Sequence, residues 1–435
     1  MRLSAGFSLL LLIPIACAQT TSSDAVVEVG PNPVLPAANK QTLPTVNIAP
    51  AVGWPSGSAP RPAAGLRVQS FASGLDHPRW LYVLPNGDVL VAETNAPPKP
   101  GEKGGIRAWF TKRAMKKAGS AVPSANRIHL LRDADGDGVA ELRQVFLSDL
   151  MSPFGMALIG DQLYIANADA IVRVPYQTGQ TSITATPVTV APLPGGPINH
   201  HWTKSLVASA DGQHLYAGIG SNSNVGENGL QNEINRAAVL EIDVATGQSR
   251  VYASGLRNPV GLAWQPGTGA LWVVVNERDE IGDQLVPDYL TRVRKGAFYG
   301  WPYSYYGQHV DERVTPPDPA KVAQAIAPDY ALGAHVAALG LSFSQARDFP
   351  PAFADGAFIG LHGSWNRSKP VGYKVVFIPF VSGQPHGEPV DVLTGFLDND
   401  GNARGRPVGV AFDRHGALLV ADDVGNQVWR VSAAR

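Results

Sequence analysis

With 35 Lys+Arg against 36 Asp+Glu over 435 residues, the chain carries a formal charge of -1, which argues against nucleic acid or an anionic membrane surface as a partner. Its 46 Gly and 36 Pro break helices and mark turns, so a mainly helical fold is excluded and an all-β one is expected. The single cysteine, Cys17, excludes a disulfide framework in anything that follows it.

Residues 1–18 read as an export signal peptide: Arg2 supplies positive charge, Phe7 to Ile15 an apolar core, and Ala16-Cys17-Ala18 a small-residue cleavage site. The apolar run is too short to span a bilayer, so a periplasmic or secreted protein is expected. Ile15-Ala16-Cys17 also loosely matches a lipoprotein cleavage site, which would make Cys17 a lipid anchor. Pro14 stands where that site favours Leu, so this alternative ranks second. Residues 19–62 are rich in Pro, Ala, Ser and Thr, follow no strand or helix period, and are expected to form a disordered linker. Residues 63–435 are expected to be one domain.

Within that domain one theme recurs: an alternating apolar strand, a tight Gly/Asp/Asn turn, and a second apolar strand. It starts at Pro78-Arg79-Trp80, Pro153-Phe154-Gly155, Lys204-Ser205-Leu206, Pro259-Val260-Gly261, Leu339-Gly340-Leu341 and Pro407-Val408-Gly409. Each unit is a hairpin that cannot bury its face alone. Six units in about 370 residues leave room for four strands each, which predicts a six-bladed β-propeller. The strand around Leu66 to Phe71 is expected to close the ring by pairing with Gln427 to Val431.

In such a fold the residues just before each inner strand face a central channel. His200 and His201 precede the third unit; in extended backbone they point to opposite faces, so only one can enter the channel. A channel histidine is a candidate general base, and hydrogen-bonded packing is the alternative. Arg257-Asn258 precedes the fourth unit and Arg404-Gly405-Arg406 the sixth. Arg404 and Arg406, on one face of an extended segment, suit an anion rich in carboxylates; surface arginines at the rim are the alternative. The loop Glu277-Arg278-Asp279-Glu280-Ile281-Gly282-Asp283-Gln284 offers oxygen ligands for Ca²⁺, or is simply a solvated acidic loop. Asp133-Ala134-Asp135-Gly136-Asp137-Gly138 imitates an EF-hand start but has Gln144 at the twelfth position and strands on both sides, so a polar hairpin turn is favoured. No phosphate loop, Gly-x-Ser-x-Gly elbow or zinc spacing is present, which weakens nicotinamide and serine-hydrolase readings.

Taken together, Asn199-His200-His201, Ser254 to Gly261, Asn276-Glu277-Arg278-Asp279 with Gly282-Asp283, Tyr299-Gly300-Trp301-Pro302 and Arg404-Gly405-Arg406 resemble the glucose/sorbosone dehydrogenase family. These are soluble, periplasmic, six-bladed propellers that use pyrroloquinoline quinone (PQQ) and Ca²⁺, and the nearest likeness is to the L-sorbosone dehydrogenase branch. The resemblance spans about residues 65 to 433 and rests on the ordered set of motifs. It implies hydride transfer from an aldose or sorbosone-type sugar to the quinone, with electrons passing to a quinone or cytochrome. It places the base on His201 and Arg257 beside the reacting oxygen, with Asn258 next to it. Arg404 and Arg406 would hold the cofactor's carboxylates, and Arg367 would replace a family lysine. Asp279, Asp283, Gln284 and the Tyr299 region would hold Ca²⁺.

The chain departs from the glucose-oxidising branch at Pro153-Phe154 in place of a Gln, at Ser221-Asn222 in place of a carboxylate that orients the base, and at Gln284 in place of a carboxylate. Two alternatives stay open at this stage. One is a calcium-dependent lactonase on a similar propeller, and the other a sugar-binding propeller without catalysis.

Overall fold

Each recurring pair of apolar strands folds as the inner half of an antiparallel sheet, because alternation gives every strand one face to bury against the next sheet. The computed structural model describes residues 26–39, 45–98, 113–347 and 349–434. Its first three blades run in chain order, with inner strands Pro78–Val83, Met156–Ile159 and Lys204–Ala208. The fourth to sixth start at Asn258–Trp264, Ala338–Phe343 and Pro407–Phe412. The fold is a six-bladed β-propeller, as the repeat count predicts.

The glycines of the repeat have a packing role. A Cβ on Gly155 would stand 2.2 Å from the backbone nitrogen of Leu206 in the next blade, and one on Gly340 would stand 2.2 Å from the carbonyl of Val408. Only glycine lets neighbouring inner strands approach this closely around the axis. Between blades the filling is aromatic: Phe154 lies 4.6 Å from the ring of Trp80 and 5.9 Å from that of Trp202. Burying one such ring stabilises the fold by roughly 1.5–3 kcal/mol.

Closure follows the predicted route. Gln427–Ala433 pairs antiparallel with Leu66–Ser73, from Gln427 opposite Ser73 to Ala433 opposite Leu66. The sixth blade therefore takes its outer strand from the start of the domain and its other three from the end.

The expected linker is a correction. Residues 1–18, with Cys17, lie outside the described residues, but much of 19–62 is ordered. Val29–Gly30 adds a strand to the outer edge of the fourth blade, opposite Ala331 and Leu332. Arg61–Pro62 does the same on the fifth, opposite Leu393 and Thr394. Between them, residues 45–54 form a strap over the loops at one end of the propeller. The strap has no periodic pattern because it buries no face of its own; its backbone groups bond to rim loops instead. No helix among the described residues is long and apolar enough to cross a membrane.

Candidate active site at the channel mouth

The inner strands start, and their partner strands end, at one mouth of the channel, so residues from several blades meet there. The centre of one group is Asp423, next to the end of Leu418–Asp422 in the sixth blade. It accepts hydrogen bonds from Arg79 at 3.0 Å and from His362 Nε2 at 2.9 Å, while His77 Nε2 stands 3.6 Å away. Burial opposes the charge of Asp423, but His362, His77 and Arg79 outweigh it and hold its carboxyl far below the usual range. Burial pushes His362 down to about 4, with Arg406 and Arg79 adding to the effect against Asp423, so its imidazole is neutral near pH 7.

Arg406 belongs to the same group. Its guanidinium carbon lies 4.9 Å from the centre of the Tyr373 ring, and one nitrogen donates to the carbonyl of Ala49 at 3.2 Å. Arg79 and Arg406 are both buried, and each keeps an Nε–H with no acceptor; His77 Nε2 also lacks a partner. Buried donors in this state cost stability unless a ligand satisfies them. Two guanidiniums with spare donors, beside a flat aromatic ring, fit a planar ligand that carries several carboxylates.

The second group surrounds His201. Its Nδ1 lies 2.9 Å from the carbonyl of Ser221 and 3.0 Å from the Ser221 hydroxyl. The carbonyl can only accept, so Nδ1 carries the proton and Nε2 presents a lone pair. This supplies by a carbonyl what a carboxylate would otherwise do at Ser221-Asn222. Burial, followed by the charges of His200 and Arg257, pushes His201 well below 6.5. Asn258 has a buried, unpaired Oδ1, and both it and His201 close tightly on Gly220: a Cβ there would stand 2.4 Å from each side chain. His200 is exposed, and the two imidazoles pack edge to face at 4.6 Å. They do not point to opposite faces, because residues 200–201 form a bend after Asn199, whose φ is 34°, and not a strand.

Arg257 is a correction to the expected cofactor contact. Its Nε donates to the carbonyl of Asn224, one terminal nitrogen to the carbonyls of Asn276 and Glu277, and the other to Asn224 Oδ1 and Asp279. All five N–H groups are spent on the protein, so Arg257 organises loops and has none left for a ligand. Arg367 is likewise taken, by Glu28 at 2.8 Å and 3.1 Å and by the carbonyl of Ala334. Arg404 is half-buried near the half-buried Asp398, whose carboxyl its charge helps to lower, whereas Arg406 of the predicted pair lies in the Asp423 group.

The expected calcium ligands do not converge. Asp279 binds Arg257 and His335, Asp283 accepts from the backbone and hydroxyl of Ser368, Gln284 donates to Glu28, and the Tyr299 hydroxyl donates to the carbonyl of Arg292. Each side chain is neutralised or bonded locally, so the set does not fit a divalent ion. Among the described residues one group has metal-ligand spacing, Asp133, Asp135, Asp137 and Glu141. It follows the far end of Arg127–Arg132, at the opposite face from the channel mouth.

Sequence reasoning missed Arg79, His362, Asp423 and Tyr373. Arg79 was visible in Pro78-Arg79-Trp80, where the rule for residues at the start of inner strands applies directly. His362 and Asp423 follow the second strands of their hairpins, which also end at the mouth, but neither stands in a motif that marks it in the sequence.

Two family patterns match the chain: Glucose / Sorbosone dehydrogenase over residues 161–363 and TrAA12-like over 308–434. An uncharacterized protein of Borreliella burgdorferi is 30% identical over 292 residues, covering 65% of this chain and 76% of that protein. A pyrroloquinoline quinone-dependent pyranose dehydrogenase of Coprinopsis cinerea is 25% identical over 298 residues, covering 53% of this chain and 39% of the enzyme. The chain thus spans well under half of that enzyme's length. The holo form of the pyranose dehydrogenase PQQ domain from the same fungus shares the fold, with a TM-score of 0.68 at 20% identity, over 89% of this chain and 100% of that one. The chain is thus similar to the glucose/sorbosone dehydrogenase family over residues 161–363, and its extended identity is to an uncharacterized protein.

Proposed function

We propose that the protein is a PQQ-dependent oxidoreductase that oxidises a sugar, of aldose or sorbosone type, and passes the electrons to a quinone or cytochrome outside the cytoplasm. The observation that carries this reading is the pair of buried guanidiniums, Arg79 and Arg406, each with an unsatisfied Nε–H at the channel mouth. They would hold cofactor carboxylates, with Tyr373 beside Arg406. The cofactor, when bound, supplies the two-electron acceptor for the hydride of a sugar C–H bond.

The chain's own residues do the rest. His201 takes the hydroxyl proton at Nε2 as the carbonyl forms, and Ser221 fixes the tautomer that makes this possible. Asn258 Oδ1, next to it, accepts from a neighbouring substrate hydroxyl. Calcium has no part in this reading, since Asp279, Asp283, Gln284 and Tyr299 are engaged elsewhere. The same engagement removes the acidic ligand set that a calcium-dependent lactonase would need at this mouth.

A second reading of the base rests on one contact. His362 is oriented by a carboxylate, Asp423, at 2.9 Å, an arrangement also suited to proton transfer. Its closeness to Arg79 and Arg406 places it among the cofactor-holding groups, so His201 across the mouth is preferred.

The test is to titrate the purified protein with PQQ and follow its absorbance, then measure dye reduction with a panel of aldoses and sorbosone. Saturable binding and sugar-dependent reduction are expected. Absence of PQQ binding overturns the proposal, and binding without turnover on any sugar reduces the protein to a cofactor-binding propeller.

A further inference from the structure

The strap, residues 45–54, bonds to both loops that flank Arg406. On one side, Val52 N donates to the carbonyl of Ala403 at 2.8 Å and Ala403 N donates to the carbonyl of Pro50 at 2.7 Å. The loop that carries Arg406 is thus paired to the strap as one strand is to another. On the other side, Asn47 N donates to the carbonyl of Trp365 at 2.9 Å, Asn47 Nδ2 to the carbonyl of Ser368 at 2.8 Å, and Asn366 Nδ2 to the carbonyl of Thr45 at 2.6 Å. That second loop holds Tyr373, whose hydroxyl donates to the carbonyl of Ser364 at 2.8 Å and whose ring faces Arg406.

Between these two anchors the strap touches the arginine itself. The buried carbonyl of Ala49 accepts from the Arg406 guanidinium. Farther along, Trp54 packs edge-on against Phe396 at 5.4 Å and Trp429 at 5.3 Å, and its indole N–H donates to Asp422 at 2.7 Å. The other oxygen of this buried carboxylate accepts from the backbone N–H of Arg406 at 2.8 Å. Asp422 therefore couples the position of Trp54 to the backbone from which Arg406 projects.

We propose that the strap is a working part of the anion pocket: through Ala49 and Trp54 it positions Arg406, and so sets how long a carboxylate-bearing quinone stays bound. This rests on the proposed PQQ site. A guanidinium fixed at its head by a carbonyl and at its backbone by a shared carboxylate needs no ordering when the ligand arrives. The residues that act here are positioning residues: Trp54 acts on Arg406 through Asp422.

The experiment measures PQQ dissociation by stopped-flow displacement, without sugar, for the wild type, Trp54→Phe and Trp264→Phe. Trp54→Phe keeps an aromatic ring against Phe396 and Trp429 but removes the N–H to Asp422 together with the five-membered half of the indole, a loss of ring volume that Trp264→Phe shares. Trp264→Phe removes an indole bond to the carbonyl of Ala208, in a pairing remote from the mouth, and reports the effect of a structural loss alone. The expected result is dissociation about tenfold faster for Trp54→Phe and unchanged for Trp264→Phe. Equal dissociation from the wild type and Trp54→Phe overturns the strap's role while leaving the PQQ site intact. An equal acceleration in both variants also overturns it, since any lost indole bond then has the same effect. A wild type that binds no PQQ overturns the functional reading, and the strap's role with it.

Discussion

Arg79 of the first blade reaches Asp423 of the sixth at 3.0 Å, in an ion pair almost wholly removed from solvent. The pair spans the seam where the ring closes, so the anion pocket and ring closure depend on the same two blades.

Removing the charge of Arg406 tests the pocket directly. Arg406→Met keeps an apolar stem against Tyr373 and is expected to weaken PQQ binding by roughly 10- to 100-fold, as read by titration. Arg404→Met, at the rim near Asp398, is expected to change it by less than about threefold, the scale of a charge screened by solvent. Equal losses would mean that both arginines hold the ligand.

The base assignment separates three histidines. His201→Ala is expected to retain PQQ and lose turnover by on the order of 100-fold, while His200→Ala does far less. His362→Ala is expected to weaken PQQ binding, because it leaves Asp423 with one fewer donor and so loosens the carboxylate that holds Arg79. If His362→Ala binds PQQ normally and loses turnover, the base is His362.

The pH profile carries the same information. His201 works as a base only when neutral, and burial, with His200 and Arg257 nearby, shifts its titration below 6.5. The neutral form therefore persists as pH falls to 6.5, and the acid limb of kcat/KM is expected below that value. A limb centred above 6.5 would contradict the buried, cation-flanked environment.

Arg257 is expected to report stability. Arg257→Met strips donors from the carbonyls of Asn224, Asn276 and Glu277 and leaves Asp279 with His335 as its charged partner. Breaking such a pair costs about 3–5 kcal/mol, which thermal unfolding would register. Loss of PQQ affinity with an unchanged Tm would instead place Arg257 in the cofactor pocket.

The propeller was legible because hairpin alternation and turn residues are local, and because six copies leave one way to bury every face. Closure by Leu66 to Phe71 was legible for the same reason: the sixth unit needed an outer strand. Side-chain partners were not, since they depend on contacts far apart in sequence. Arg257 stood where a cofactor contact was expected, but Asn224 and Asp279 claim it. Tyr299 and Gln284 are claimed in the same way by Arg292 and Glu28. The strap escaped because hydrogen bonds from an irregular backbone leave no periodic trace.

Ring closure also fixes an order of events in folding. Leu66–Ser73 leaves the ribosome early but has no partner until Gln427–Ala433 follows, so the sixth blade completes last. Until then an unpaired edge strand stays open to association with other chains. Loss of even the final strand would strand the first one, and a C-terminal truncation should act on the protein as a defect at both ends of the domain.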